Sequence, residues 1–88
     1  MKVKKGFLLR KVGTQNVVVA IGAQSRNFNG IIRLNDTGKF LWEKLSKEIS
    51  EDELISAMIS EYEIDEKTAR DDITEFINTL KGANLLES

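Results

Sequence analysis

Apolar residues change their period once along this chain of 88 residues. Residues 7–12 (FLLRKV) and 17–21 (VVVAI) are short runs rich in aliphatic and β-branched side chains, the composition of strands. Between them Gly13, Thr14, Gln15 and Asn16 supply turn chemistry, so the two runs predict a β-hairpin. Beyond Gly22 comes a polar stretch, residues 23–27, and then residues 28–34, where Phe28, Ile32 and Leu34 share one face at period two. That spacing predicts a third, antiparallel strand. As the last strand of a small meander it is expected at an edge, with backbone N–H and C=O groups unpaired.

From Asn35 onward the period is helical. Residues 36–46 place Phe40, Leu41, Trp42 and Leu45 on one stripe, entered through Asn35 or Asp36 as N-cap. Ser50, Glu51, Asp52 and Glu53 form a capping box, opening a helix in which Leu54, Ile55, Met58, Ile59 and Tyr62 recur at helical spacing. Asp65 caps the last and longest helix, residues 66–81, with Ala69, Ile73, Phe76, Ile77 and Leu80 as its buried stripe and Gly82 as its C′ residue. Helices this short depend on packing, so the three stripes and the inner face of the sheet must share one core. The expected fold is α+β: a three-stranded antiparallel sheet followed by three helices, in one domain covering residues 1–88.

Composition removes most chemistry from consideration. There is no Cys and no His, so disulfides, thiolate nucleophiles and the commonest metal ligand and general base are all missing. The densest carboxylate cluster, Asp71 and Asp72 with Glu75, has no His or ligand-bearing loop beside it and reads as a solvated helix face, with Lys67 and Asp71 as an i, i+4 ion pair. Trp42 reads as a core anchor. Gly22 and Gly30 belong to no phosphate-cradling string, and Ser25, Ser50 and Thr68 have no base to activate them. No catalytic residue, metal or cofactor is expected. The longest apolar run, residues 17–21, is too short to span a membrane or form a signal-peptide core, so no membrane association and a cytoplasmic address are expected.

The net charge of -1 hides an asymmetry. Residues 1–34 contain seven Lys and Arg and no Asp or Glu, whereas residues 35–88 contain six basic and fourteen acidic residues. The halves therefore carry +7 and -8, which suits either their mutual attraction or an anionic partner. The order of elements invites comparison with DNA-binding winged helices. On the last helix, however, Glu66, Asp71, Asp72 and Glu75 outnumber Lys67, Arg70 and Lys81, the wrong sign for a groove lined by phosphates. Phe7 and Phe28 alone are a poor stacking set for single strands, so no nucleic-acid partner is expected.

At the switch from strand to helix, the string Ile32-Arg33-Leu34-Asn35-Asp36-Thr37-Gly38, followed by Leu41-Trp42 and Leu45, resembles the signature of the PqqD-like family. The rest agrees in order: Glu61-Tyr62-Glu63-Ile64 closing the second helix, Asp72-Ile73, Phe76-Ile77 and Leu80 on the third, then Gly82, Leu85 and Leu86. Ser46-Lys47 stands where the family often has an acidic residue and Gly. The resemblance implies a winged-helix-like fold and a non-catalytic adaptor. Such a protein binds the leader of a ribosomally made precursor peptide and presents it to a modifying enzyme, often a radical S-adenosylmethionine enzyme. It also implies that the leader docks as an added strand beside the third strand, against the last helix.

Carried onto this sequence, the expected peptide-binding residues are Arg26, Phe28, Asn29, Gly30, Ile31, Ile32 and Arg33 on and before the strand. On the helix they are Arg70, Thr74, Ile77, Asn78 and Lys81, which flank the stripe of Ile73, Phe76 and Leu80. An acidic leader would complement the basic half. The alternative function is a winged-helix regulator or general protein-interaction domain, and the exposed strand could pair with a second copy to give a homodimer.

Overall fold

The computed structural model describes residues 1–22 and 31–87. Along the chain these form β1 (Lys2–Val3), β2 (Phe7–Val12), β3 (Gln15–Ala20), β4 (Ile31–Leu34), α1 (Asp36–Lys44), α2 (Glu51–Tyr62), α3 (Glu66–Gly82) and β5 (Leu86–Glu87). The fold is α+β, with an antiparallel sheet in the order β2-β3-β4 and three helices after it. The hairpin is tighter than its turn residues suggest. Val12 pairs with Gln15, so only Gly13 and Thr14 form the loop. Gly13 has φ +63, which matches the first central position of a type II′ turn and the twist of the flanking strands. The third strand is described from Ile31, pairing Ile31–Leu34 with residues 16–19 of β3; positions 28–30 of the expected strand lie outside the described residues.

A second, two-stranded pairing was not expected. Lys2 lies opposite Glu87 and Val3 opposite Leu86, so the two ends of the described chain close on each other. Strands of two residues carry no periodicity and leave no signal to read. The pairing is tied to the helices by Val3 N–H donating to the Leu45 carbonyl (2.9 Å) and Lys4 N–H donating to the Leu85 carbonyl (2.8 Å).

Each helix begins where its cap chemistry places it. Asn35 accepts a hydrogen bond from Gly38 N–H, Ser50 forms a reciprocal capping box with Glu53, and Asp65 accepts from Thr68 N–H. The end of α3 differs from expectation. Gly82 is its last helical residue, and the left-handed position is Asn84, at φ +60. Leu85 N–H donates to the Leu80 carbonyl and Asn84 N–H to that of Lys81, the paired bonds of a Schellman ending that buries Leu85. The Asn84 side chain also accepts from Lys4 Nζ at 2.8 Å, a contact Gly could not supply.

The core contains Val3, Val18, Leu41, Trp42, Leu45, Leu54, Ile55, Met58, Ala69, Ile73, Ile77, Leu80 and Leu85. It therefore draws on all three helices, on β1 and on one face of the sheet. Four residues assigned to the stripes stand further out, Phe40 and Ile59 among them, both partly buried. Tyr62 is exposed and meets Phe40 edge-on, ring centroids 5.4 Å apart. Phe76 is only partly buried.

Candidate functional site

The strand-to-helix switch builds the site. Along β4, Ile32 and Leu34 pack against the core while Ile31 and Arg33 are exposed. Among the described residues β4 pairs with β3 alone, so no described strand takes up the backbone groups on its other side. Directly after it, Asn35 Oδ1 accepts from Gly38 N–H at 2.8 Å, and the Asn35 carbonyl accepts from Lys39 N–H at 2.9 Å. Gly38 is buried, and a Cβ there would stand 3.2 Å from Asn35 Oδ1 and 3.3 Å from Leu34 Cβ. The Leu-Asn-Asp-Thr-Gly string thus has a physical reading: the first turn of α1 folds back onto the last residue of β4, close enough that a side chain at position 38 would crowd both strand and cap.

That approach leaves a cleft of about 240 Å³ between the start of α1 and one flank of α3. Asn35, Thr37, Gly38 and Leu41 line one wall, and Asp72, Glu75, Phe76 and Thr79 the other. Leu41 and Phe76 make an apolar floor, whereas Asp72 and Glu75 are exposed carboxylates at the rim. A shallower depression continues around α3 over Arg70, Asp71, Thr74, Glu75, Asn78 and Thr79, sharing Glu75 and Thr79 with the cleft.

The expected site residues divide accordingly. Ile31, Ile32 and Arg33 are on β4 as anticipated, whereas Arg26, Phe28, Asn29 and Gly30 lie outside the described residues. Arg70, Thr74 and Asn78 line the shallow depression and not the cleft, with Arg70 3.4 Å from Glu66 in an ion pair. Lys81 is exposed near the end of α3. Ile77, expected on the margin of a groove, is in the core at 7% exposure, and its neighbour Phe76 holds the position on the cleft wall. Successive helical residues point about 100° apart, so an uncertainty of a quarter turn in the stripe exchanges the two. The sequence reading also missed Asn35, Thr37, Gly38 and Leu41 as lining residues, together with the 72, 75, 76, 79 flank. That flank repeats at helical spacing, but which side of α3 faces α1 is a tertiary fact. The buried Gly38 in the first turn of α1 was the one available sign of a close approach.

The groups with displaced titration lie at caps and surface pairs. Hydrogen bonds from Thr68, first through its hydroxyl and then its backbone N–H, hold Asp65 below the ordinary Asp range. Glu53 is lowered mainly by the Ser50 backbone N–H and then its hydroxyl. Glu48 is lowered by hydrogen bonding with, and attraction to, the Met1 ammonium. Asp71 raises Lys67 through a 2.8 Å ion pair. All of them stabilise structure at the surface. What the site offers is a strand edge for main-chain hydrogen bonds and, next to it, a side-chain pocket with an apolar floor, the pairing of features used in recognition by strand addition.

The family model described as Coenzyme PQQ synthesis protein D (PqqD) matches residues 15–86. No curated protein matches the chain. Among solved structures it is similar to a chain of "TbiB1 in Complex with the TbiA(beta) Leader Peptide", with a TM-score of 0.79, 22% identity, and coverage of 100% of this chain and 96% of that one. At that identity the likeness establishes a shared fold. Since the family match begins just after the hairpin turn, at the start of β3, and runs through the cleft to β5, the chain belongs to the PqqD family.

Proposed function

We propose that this protein is a non-catalytic adaptor that binds the leader segment of a ribosomally made precursor peptide and presents the peptide to a modifying enzyme. The observation that carries the reading is the juxtaposition of the β4 edge, which no described strand pairs, with the cleft between α1 and α3. TbiB1, which shares this fold, was solved in complex with the TbiA(beta) leader peptide, which supports the same use of the fold here.

An extended peptide laid along β4 satisfies the edge through main-chain hydrogen bonds, and its alternate side chains point to opposite faces of the sheet. Those on the core side reach the cleft, where Phe76 and Leu41 favour an aliphatic or aromatic group. Those on the other side pass Ile31 and Arg33, where a carboxylate is favoured. An interface of this size buries about 1,200 Å², suited to a peptide that must be released after modification. The partner implied is a peptide-modifying enzyme, with a radical S-adenosylmethionine enzyme as the leading class, acting in the cytoplasm.

The test is titration of isotopically labelled protein with the leader of a small peptide encoded beside its gene. Amide shifts clustered over residues 31–38 and 72–79 are the expected result. Shifts confined to α2, or an absence of binding at millimolar peptide, would overturn the proposal.

A further inference from the structure

The register of the β2-β3-β4 sheet sorts its side chains onto two faces. Leu9, Val18 and Ile32 lie in one cross-strand row and pack into the core. One position along, Leu8, Val19 and Ile31 form a row on the opposite face, and the next outward row is Arg10, Val17 and Arg33. None of these six residues is in the core cluster, yet Val17, between the two arginines, is buried at 3% exposure and Val19 is half-buried, so the exposed part of this face is Leu8, Ile31, Arg10 and Arg33. Antiparallel sheets usually turn polar side chains to water on their outer face. Here the row of Leu8, Val19 and Ile31 is aliphatic throughout, with Leu8 39% and Ile31 52% exposed.

The charge beside that row is all of one sign. Strands β2, β3 and β4 contain no carboxylate, and neither Arg10 nor Arg33 makes an ion pair among the described residues. We propose that this outer face is a docking surface for a second protein, whose contact patch is aliphatic at its centre with Asp or Glu placed opposite Arg10 and Arg33. A second copy of the chain fits less well. A two-fold contact through this face brings the Arg10 and Arg33 guanidinium groups of both copies together, because such an interface apposes the same patch to itself. Strand addition at β4 proceeds in the plane of the sheet and leaves the Leu8 and Arg10 side of the outer face open. If the peptide binds as proposed above, it shares Ile31 and Arg33 with the protein partner, which keeps Leu8 and Arg10 to itself, so the two can be held side by side.

The test uses two synthetic amphipathic helical peptides with the same Leu stripe, one flanked by Glu and the other by Lys, titrated into the labelled full chain. The Glu peptide is expected to shift the amides of Leu8, Arg10, Val17 and Val19 and to bind at least tenfold more tightly than the Lys peptide. Arg10→Glu should reverse that preference, and Leu8→Asp should abolish binding of the Glu peptide while leaving binding of a leader peptide at β4 unchanged. Equal affinity for the two peptides, no binding of the Glu peptide at millimolar concentration, or shifts centred on α3 would overturn the proposal. Concentration-dependent self-association that Leu8→Asp removes would also overturn it, by assigning the face to a second copy. Loss of leader binding alone, with the Glu peptide still bound at this face, would count against the adaptor reading and leave the docking surface standing.

Discussion

Neighbouring residues on α3 separate stability from recognition. Ile77 is buried in the core and Phe76 lies on the cleft wall, so truncating them should produce different losses. Ile77→Ala removes packed methyl and methylene groups from a closed site and should cost about 2–5 kcal/mol in urea unfolding. Phe76→Ala should cost less stability, because the ring is only partly buried, but should weaken leader binding tenfold or more; retention of full affinity would remove Phe76 from the site. The helical stripe as a whole was legible in the sequence, since Ala69, Ile73, Ile77 and Leu80 recur at the right spacing and are all buried. Its margin was not, because margins are decided by what packs alongside. Asn35 was legible for a different reason: capping is local, and its side chain needs only the Gly38 N–H three residues on. Asn35→Ala should lower stability by about 1 kcal/mol and also disturb the cleft, which Asn35 lines.

At the scale of elements, the starts of helices were readable and their ends were not. All three N-caps are side-chain chemistry written in the sequence, whereas the C-termini depend on backbone conformation that several residue types can adopt. Glu63 ends α2 at φ +51, a left-handed conformation that disfavours a side chain. Glu63→Gly should therefore raise stability by about 1 kcal/mol, seen as a higher urea midpoint at unchanged slope. Asn84, by contrast, is held in the same region while its side chain bonds Lys4. The caps also make stability depend on pH. The folded state holds Asp65 and Glu53 below their ordinary values, so their contribution is fully present above the unfolded carboxylate range, about 3.9 to 4.3, and is lost as pH falls through the lowered folded values. Unfolding followed from pH 6 down to pH 2 should show this loss. Asp65→Asn keeps a capping oxygen without a titrating group, and should flatten part of the acid limb. An unchanged profile in that variant would show that the cap contributes nothing to acid sensitivity.

Across the whole molecule, the separation of charge along the chain becomes a separation in space that the sequence only partly anticipated. The basic half forms the sheet, as its strand pattern implied, but the cleft beside β4 is bounded on its helix side by Asp72 and Glu75, not by the Arg70 and Lys81 expected there. A peptide docked as proposed, along β4 and over the cleft, would meet Arg33 on one side and a carboxylate rim on the other. For an acidic leader these act in opposite directions, and both are exposed enough to be screened over about 8 Å at physiological ionic strength. Arg33→Glu should then lower affinity for an acidic leader, and Asp72→Lys should raise it, each by roughly three- to tenfold, the scale of about 1 kcal/mol assigned to exposed charge pairs. Added salt should shrink both differences toward the affinity set by the strand edge and the Phe76 floor. The measurement is calorimetry on the two variants and the parent at low and high salt. Should Asp72→Lys weaken binding of the acidic leader, the rim does not face the peptide, and the strand would have to dock against the Arg70, Thr74 and Asn78 side of α3 instead.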